Sequence, residues 1–407
     1  MTTQHVNSAA GESLEDAITK IKREEVVFVV PKDSGSGYRI YSLVEGSTSD
    51  GEKPLNLEVV QCEQHQLPED LSGFLLGQGR LPPAHLGPPR EVHVVVSTHS
   101  GLKLAEDFYQ GVLRSLLGAV GLESSEIKGQ GGYQVTVTES SDTIRDFAQG
   151  LGRDGYATER TVILLSGDGG VTDFLNGQDR GPPPPDNALL PTIALLPLGT
   201  GNALFHSLHK PLYTTTTTTN PTPSPLSDTP AYRVHGAKRF AMAAGELLKL
   251  GHVYDVVVGV RRGGDGGGGG SEGESGEGVE GEGGEGGNGF NYILATLVSN
   301  LEKTFAISPK SRPLDGRLRL VHFGDVGGAK TMEIMMAAYR EGEHVGMPEV
   351  GYEDVDEVKV TVAEEDPRWR KVCVDGSIVE LERGGWVRVG REERERVKIL
   401  VDAGVAR

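Results

Sequence analysis

Cysteine is nearly absent. Cys62 and Cys373 are the only two, too few for a disulfide framework and too far apart for a Cys-x-x-Cys metal or redox motif, which points to a reducing compartment. Long apolar runs are missing too: stretches such as Val26 to Val30 and Val162 to Leu165 fall far short of the roughly 20 residues a membrane helix needs. Residues 1–20 are polar and acidic, without the basic stretch followed by an apolar one that marks a secretory leader. A soluble or peripheral protein is therefore expected. Positive charge is in deficit, with 40 Lys and Arg against 58 Asp and Glu and a formal charge of −18; this argues against a nucleic-acid partner, whose affinity is carried by Lys and Arg. The histidines fall in no metal-ligating spacing, and the absence of a Gly-x-Ser-x-Gly elbow leaves a serine hydrolase without support.

What is abundant is glycine, with 58 in 407 residues, about twice the usual share of roughly 7%. Sixteen of them, with seven acids and no Lys or Arg, fall in residues 263–289. That tract has almost no apolar content to offset ordering entropy and is expected to be disordered, as is the run Thr214 to Thr219 with the proline-broken stretch Asn220 to Pro225. A length past about 300 residues favours two cores. Residues 1–90 read as a β-rich segment, 91–210 as an α/β domain, 211–230 as a low-complexity loop and 231–407 as a β domain interrupted by the 263–289 insertion. In the α/β part, His93 to Ser97, Tyr133 to Thr138, Thr161 to Leu165 and Thr192 to Leu198 are strand signals, and Leu104, Phe108, Val112, Leu116 and Val120 mark an amphipathic helix. This alternation indicates βαβ units and a mainly parallel sheet. After Phe290 the strands Tyr292 to Val298, Arg317 to Phe323, Val358 to Val362, Val372 to Val374, Gly385 to Val389 and Val397 to Val401 suggest a sandwich-like domain with one helix, Thr331 to Tyr339.

Chemistry concentrates where two strands end in glycine. The first ends in Ser166-Gly167-Asp168-Gly169-Gly170 and the second in Gly199-Thr200-Gly201-Asn202. Glycines at such ends let backbone N–H groups face an anion, and two such loops meet at the carboxyl edge of a parallel sheet, where open α/β folds bind ligands. Taken singly, the first loop also reads as a degraded dinucleotide fingerprint or a plain structural turn. A second glycine cluster, Gly324 to Thr331, misses a Walker A loop only by Ala329 at the second fixed glycine; a glycine turn capping the Thr331 helix is the favoured reading. The face of Met332, Ile334, Met335 and Met336 is expected to be core rather than a lipid channel.

Ser166-Gly167-Asp168-Gly169, Asn176-Gly177 and Pro197-Leu198-Gly199-Thr200-Gly201-Asn202-Ala203 resemble the lipid kinase family that contains diacylglycerol kinase catalytic domains and sphingosine (long-chain base) kinases. Ala203 after the Asn is more like the sphingosine kinase branch. Ser97 to Gly101, Thr138-Glu139, Tyr232-Arg233 with Arg239-Phe240, and Val374-Asp375-Gly376 extend the likeness over roughly residues 91–402. It departs in four places: the first loop lacks its Asn and Pro, Ser166 stands at a common Gly, Gly170 at a common Thr, and Ser377 at the Glu of Asp-Gly-Glu. The Asp-rich lipid-recognition segment is reduced to Ser227-Asp228-Thr229.

The resemblance implies an NAD-kinase-like α/β nucleotide-binding domain, a second β-sandwich lipid-binding domain and a cleft between them. It implies ATP and Mg²⁺ as cofactors, a sphingoid base as lipid substrate with diacylglycerol as the alternative, and a cytoplasmic protein in peripheral contact with intracellular membranes. A non-catalytic nucleotide- or lipid-binding relative is the other class. Residue by residue, Ser97, Thr98, His99, Thr138, Glu139, Ser140, Ser141 and Asp142 would line the adenine and ribose. Ser166, Gly167, Gly169, Gly199, Thr200 and Gly201 would hold phosphates, with Arg233 and Arg239 neutralising them. Asp173 would lie near the nucleotide, Asp375 and Gly376 would complete its site, and Ser166, Gly167 and Asp228 would touch the lipid. Asp168 would be the general base that takes the lipid hydroxyl proton.

Overall fold

The structure, a computed structural model, describes residues 3–6, 21–32, 37–45, 55–62, 67–77, 82–125, 132–180, 183–209, 246–247, 249–262, 277–279, 289–312, 314–375, 377–392 and 394–401. Contacts divide the chain into two units, Met1–Ser166 with Asp173–Leu198 and Arg396–Leu400, and Gly167–Thr172 with Gly199–Glu395 and Val401–Arg407.

The first unit opens with a four-stranded sheet of β1 (Thr3–Val6), β2 (Val26–Pro31), β3 (Tyr38–Glu45) and β4 (Leu55–Cys62) in the order β1-β4-β3-β2. β3, not anticipated from the sequence, pairs along its whole length with β4 and from Tyr38 to Ser42 with β2. Its parallel neighbour sheet runs through β5 (Glu91–Val96), β6 (Tyr133–Val137), β7 (Arg160–Ser166) and β8 (Thr192–Pro197), with β7 between β5 and β8. Every residue of β7 is buried. A strand covered on both faces reads as a continuous apolar run rather than an alternating one, which is why Val162 to Leu165 stood out.

Helix α1 is continuous over residues 105–119, with a π-helical turn at Tyr109–Leu113 between Ala105–Phe108 and Arg114–Ala119. It buries Phe108, Val112 and Leu117, whereas Leu104 is exposed and Leu116 only partly covered. A repeat of four residues drifts about 40° per step around a helix of 3.6 residues per turn, so a strict period of four cannot stay on one face. Phe108, Val112, Leu113 and Leu117 share one core with Val92, Val94 and Val96 of β5 and with Val30, Tyr41, Leu57 and Val59 of the N-terminal sheet. That sheet buries its other face around Val29, Ile40, Val60 and Leu71. The pleat divides β4 accordingly, Leu57 and Val59 facing one way and Val60 the other.

Helix α2 (Thr143–Arg153) and helix α3 (Asp168–Asp179) approach backbone to backbone at Gly177. A methyl at that position would lie 2.7 Å from Arg145 Cα.

In the second unit, helix α4 (Ala203–His209) precedes β9 (Tyr254–Arg261), β10 (Glu277–Val279), β11 (Gly289–Thr296), β12 (Leu318–Gly324), helix α5 (Gly327–Ala338), β13 (Gly351–Val355), β14 (Glu357–Val362), β15 (Lys371–Val374), β16 (Ser377–Glu380) and β17 (Trp386–Gly390). β9 changes partner along its length. Tyr254 and Asp255 pair with β11, and Val256 onward pairs with β14. One seven-stranded antiparallel sheet is thereby bent into two blocks, β13-β12-β11 and β9-β14-β17, with β10 on β9. Val256, Val258, Val260, Val358 and Val362 of one block pack in a single core with Phe290, Leu318, Leu320 and Val355 of the other.

Several expectations are corrected. Glu277–Val279 lies in the tract expected to be disordered, yet its backbone pairs with the edge of β9, an interaction that requires no apolar side chain. The expected run Val397 to Val401 is the short strand β18 (Lys398–Ile399), which joins the parallel sheet beside β8 instead of the antiparallel one. Helix α5 begins at Gly327 rather than Thr331, so the Walker-like Gly327 to Lys330 is helical; Lys330 pairs with Glu333 at 3.1 Å and Glu349 at 3.2 Å. The methionine face is split: Ile334 is buried and Met335 packs on a core, but Met332 and Met336 are exposed.

Gly177→Ala is expected to destabilise the protein by about 1–3 kcal/mol through overpacking. Gly150→Ala, on α2 with nothing within 4 Å of the added methyl, is expected to stabilise it by about 0.5–1 kcal/mol. Thermal or urea melting of the two variants checks both, and equal effects would contradict the close helix approach.

Candidate functional site

In the first unit the loop after β5 is tied to its neighbours by hydroxyls. Ser100 Oγ lies 2.8 Å from Ser97 Oγ and 3.0 Å from Ser166 Oγ at the end of β7. Thr98 Oγ1 donates to the Thr138 carbonyl at 3.0 Å, and Thr98 N donates to Thr138 Oγ1 at 2.9 Å. Gly101 takes φ +52°, the left-handed conformation that turns the chain toward α1. Ser97, Thr98, His99, Thr138 and Ser166 are thus brought together at the carboxyl ends of three adjacent parallel strands. Ser97, Thr138 and Ser166 are buried beneath the exposed stretch Glu139, Ser140, Ser141 and Asp142. That stretch is organised by Thr143, whose Oγ1 accepts the Glu139 and Ser140 N–H groups at 3.1 and 3.0 Å.

Asp173 does not stand free to meet a ligand. Its Oδ1 is 2.7 Å from Arg145 Nη2, while Arg145 Nη1 is 3.3 Å from Asp142 Oδ1. Arg145 and Ser100 are therefore parts of this cluster that sequence reasoning missed. The signal for Arg145 was available in Gly177, whose lack of a side chain brings α3 onto the α2 backbone at that residue.

The second unit holds the acid. Asp168 Oδ2 accepts the Ala203 N–H at 2.7 Å and Oδ1 accepts the Leu204 N–H at 3.0 Å. The carboxylate thereby satisfies two of the donors that the start of α4 leaves without intrahelical partners. The two glycine loops cross beside it. A Cβ on Gly167 would lie 2.8 Å from Gly199 Cα, whereas one on Gly169 would meet nothing within 4 Å. Gly167 and Gly199 are required by backbone against backbone, and Gly169 leaves open space.

Asn202, which the motif contained without an assigned role, closes the second loop. At φ +53° its Oδ1 accepts Gly199 N–H and its Nδ2 donates to the Gly199 carbonyl, both at 2.9 Å. Residues 299–301 support α4 from below: Asn300 N donates to Ser207 Oγ at 3.1 Å, and Gly201 leaves 3.2 Å between an added Cβ and the Leu301 carbonyl. Asp375 occupies the tip between β15 and β16 at φ +45°, a conformation that Asp tolerates in a two-residue hairpin turn.

Burial pushes the Asp168 carboxyl above the ordinary carboxylate range. The Leu204 and Ala203 N–H groups oppose that rise, and the negative charge of Asp375 adds to it. Asp168 thus feels the charge of Asp375, whose own carboxyl is raised by burial. Among the described residues no group of three His, Cys, Asp or Glu side chains is placed to hold a metal ion. A carboxylate pair with open space beside it suits Mg²⁺, which takes one or two carboxylates and completes its shell with phosphate and water. Arg233, Arg239, Asp228 and Gly376 lie outside the described residues.

A carboxyl whose folded pKa is raised costs stability above that pKa, and the cost vanishes below the unfolded value of about 4. Relative to Asp168→Asn, the wild type is therefore expected to gain stability as pH falls from neutral toward about 4. A melting difference that stays constant over that range would contradict the assigned burial.

Residues 91–222 match the family model described as the diacylglycerol kinase catalytic domain. No curated protein matches the chain. Among solved structures, a diacylglycerol kinase from Bacillus anthracis str. Sterne is 11% identical, with 77% of this chain and 98% of that one covered and a TM-score of 0.44. A second structure from the same organism gives 11% identity, 77% and 96% coverage and a TM-score of 0.49. The segment from β5 to just beyond α4 is thus similar to the catalytic domain of diacylglycerol kinases.

Proposed function

We propose that this chain is an ATP-dependent lipid kinase that transfers the γ-phosphate of ATP to the primary hydroxyl of a sphingoid long-chain base. The observation that carries the reading is Asp168. Its carboxylate is fixed by two backbone N–H groups, raised in pKa by burial and flanked by a loop crossing that keeps side chains out of the way. A carboxylate raised toward the working pH is a better proton acceptor than an ordinary surface one. As the lipid oxygen attacks phosphorus, its proton passes to Asp168, the new O–P bond forms, and the bond from the γ-phosphorus to the bridging oxygen breaks to release ADP.

The hydroxyls of Ser97, Thr98, Thr138 and Ser166 and the exposed loop 139–142 suit the nucleotide's sugar and base. Gly167, Gly169, Gly199, Thr200 and Gly201 suit its phosphates, with Arg233 and Arg239 as counter-charges. Asp173 acts through Arg145, holding the nucleotide loop by way of Asp142. Asp375 would help to hold Mg²⁺, which when bound supplies charge neutralisation on the phosphates, leaving Asp168 to take the proton. In this reading, residues 91–210 form an NAD-kinase-like nucleotide domain and residues 231–407 a lipid-binding one, in a cytoplasmic protein that meets its substrate at intracellular membranes. Ala203 after the Asn favours the sphingoid base. The description of the matching family model favours diacylglycerol as the second reading.

Purified protein with labelled ATP, offered sphingosine and diacylglycerol in separate reactions, is expected to phosphorylate sphingosine. Asp168→Ala is expected to lower the rate by roughly 10²- to 10⁴-fold, the usual worth of a positioned base. Transfer to diacylglycerol alone selects the second acceptor, and nucleotide binding without transfer to either lipid overturns the kinase reading.

A further inference from the structure

The outer face of the β9-β14-β17 block departs from what a solvated sheet face needs. Its cross-strand register sets three rows side by side: Val257, Thr361 and Trp386; Gly259, Lys359 and Arg388; and Arg261, Glu357 and Gly390. The opposite face of these strands carries Val256, Val258, Val260, Val358 and Val362 into the core, so the rows point outward. Yet Trp386 is 54% exposed and Val257 47%. Lys359 Nζ sits 5.0 Å from the centre of the Trp386 ring. Arg261 and Arg388 approach the same Glu357 carboxylate at 3.5 and 3.8 Å, so one acid is shared between two guanidinium groups.

We propose that this face is a docking surface for an anionic lipid bilayer. The choice of a bilayer as occupant rests on the lipid-kinase reading above, and two features of the face itself favour it. An exposed indole beside cations is the arrangement that settles at headgroup level, its apolar ring reaching the acyl boundary and its N–H remaining with polar groups. Among the described residues of these three strands, the outward charges are Arg261, Lys359 and Arg388 against Glu357 and, at the far end of β9, Asp255, on a chain whose formal charge is −18. At physiological salt charges are screened beyond about 8 Å, so the groups close to this face, rather than the net charge of the chain, set what a bilayer against it meets. Three adjacent strands of small relief (Gly259, Thr361 and Gly390 lie between the long side chains) give a flat contact suited to a flat partner.

The test uses the full chain and vesicles of phosphatidylcholine with or without phosphatidylserine. Sedimentation with the phosphatidylserine vesicles is expected, weakened by added salt and by about fivefold for each cation removed in Lys359→Gln and Arg388→Gln. Trp386→Ser is expected to weaken it as well. Because Trp369 and Trp386 are the only tryptophans, Trp369→Phe isolates Trp386, whose emission is expected to shift to the blue on binding. Asp168→Asn is expected to bind vesicles as wild type does, which separates this surface from the kinase chemistry. Failure to sediment, the outcome a protein partner on this face would give, overturns the proposal. So does binding that is unchanged in Lys359→Gln/Arg388→Gln and in Trp386→Ser.

Discussion

Gly167 and Gly199 pass so close that neither has room for a side chain, and the placement of Asp168 depends on that crossing. Once the backbones touch, the residue after Gly167 lies beside the start of α4, and its carboxylate takes the Ala203 and Leu204 N–H groups. An acid held this way is oriented without another side chain. The same contact leaves it poorly solvated, which raises its pKa against the pull of the two donors. Asn202 and residues 299–301 hold the second loop and α4 in turn. The chemistry of this acid is thus a consequence of main-chain packing.

The first unit is built on a different polar arrangement. Its strand ends carry a chain of hydroxyls, Ser97, Ser100 and Ser166, with Thr98 and Thr138 joined beside them. Hydroxyls both donate and accept, so such a set can adapt to sugar and base atoms without fixed charge. Charge in this unit is placed on α2 and α3, where Arg145 spans Asp142 and Asp173. Asp173, expected near a nucleotide from the sequence, is paired with Arg145 in the structure.

Much of this was legible in the sequence where backbone constraints write themselves as glycine. β7 and β8 were plain because central parallel strands are apolar throughout, and the glycine runs that follow them marked the two loops. Asp168 and Asp375 were both named, although residues far apart in the chain leave no sign in composition that one carboxylate lies near the other. Asn202 was read only as part of a motif, because its pair of bonds to Gly199 depends on a left-handed backbone that no local pattern announces. Strands β3, β9 and β13 were missed although Tyr38, Ile40, Tyr41 and Val44 of β3 and Val256, Val257, Val258 and Val260 of β9 favour strand; their pairing could not be read locally, since β9 is one strand in chain and two in pairing. β18 was assigned to the wrong sheet because two residues of pairing leave no periodicity to read.

The central claim is that Asp168 is the base and that the Asp375 charge helps to raise its pKa. The pH dependence of single-turnover phosphoryl transfer tests this most directly, compared between the wild type and Asp375→Asn. The account requires an acid limb above the ordinary carboxylate range in the wild type, moved to lower pH when the Asp375 charge is removed. An acid limb within the ordinary carboxylate range, or one that stays in place in Asp375→Asn, would contradict it.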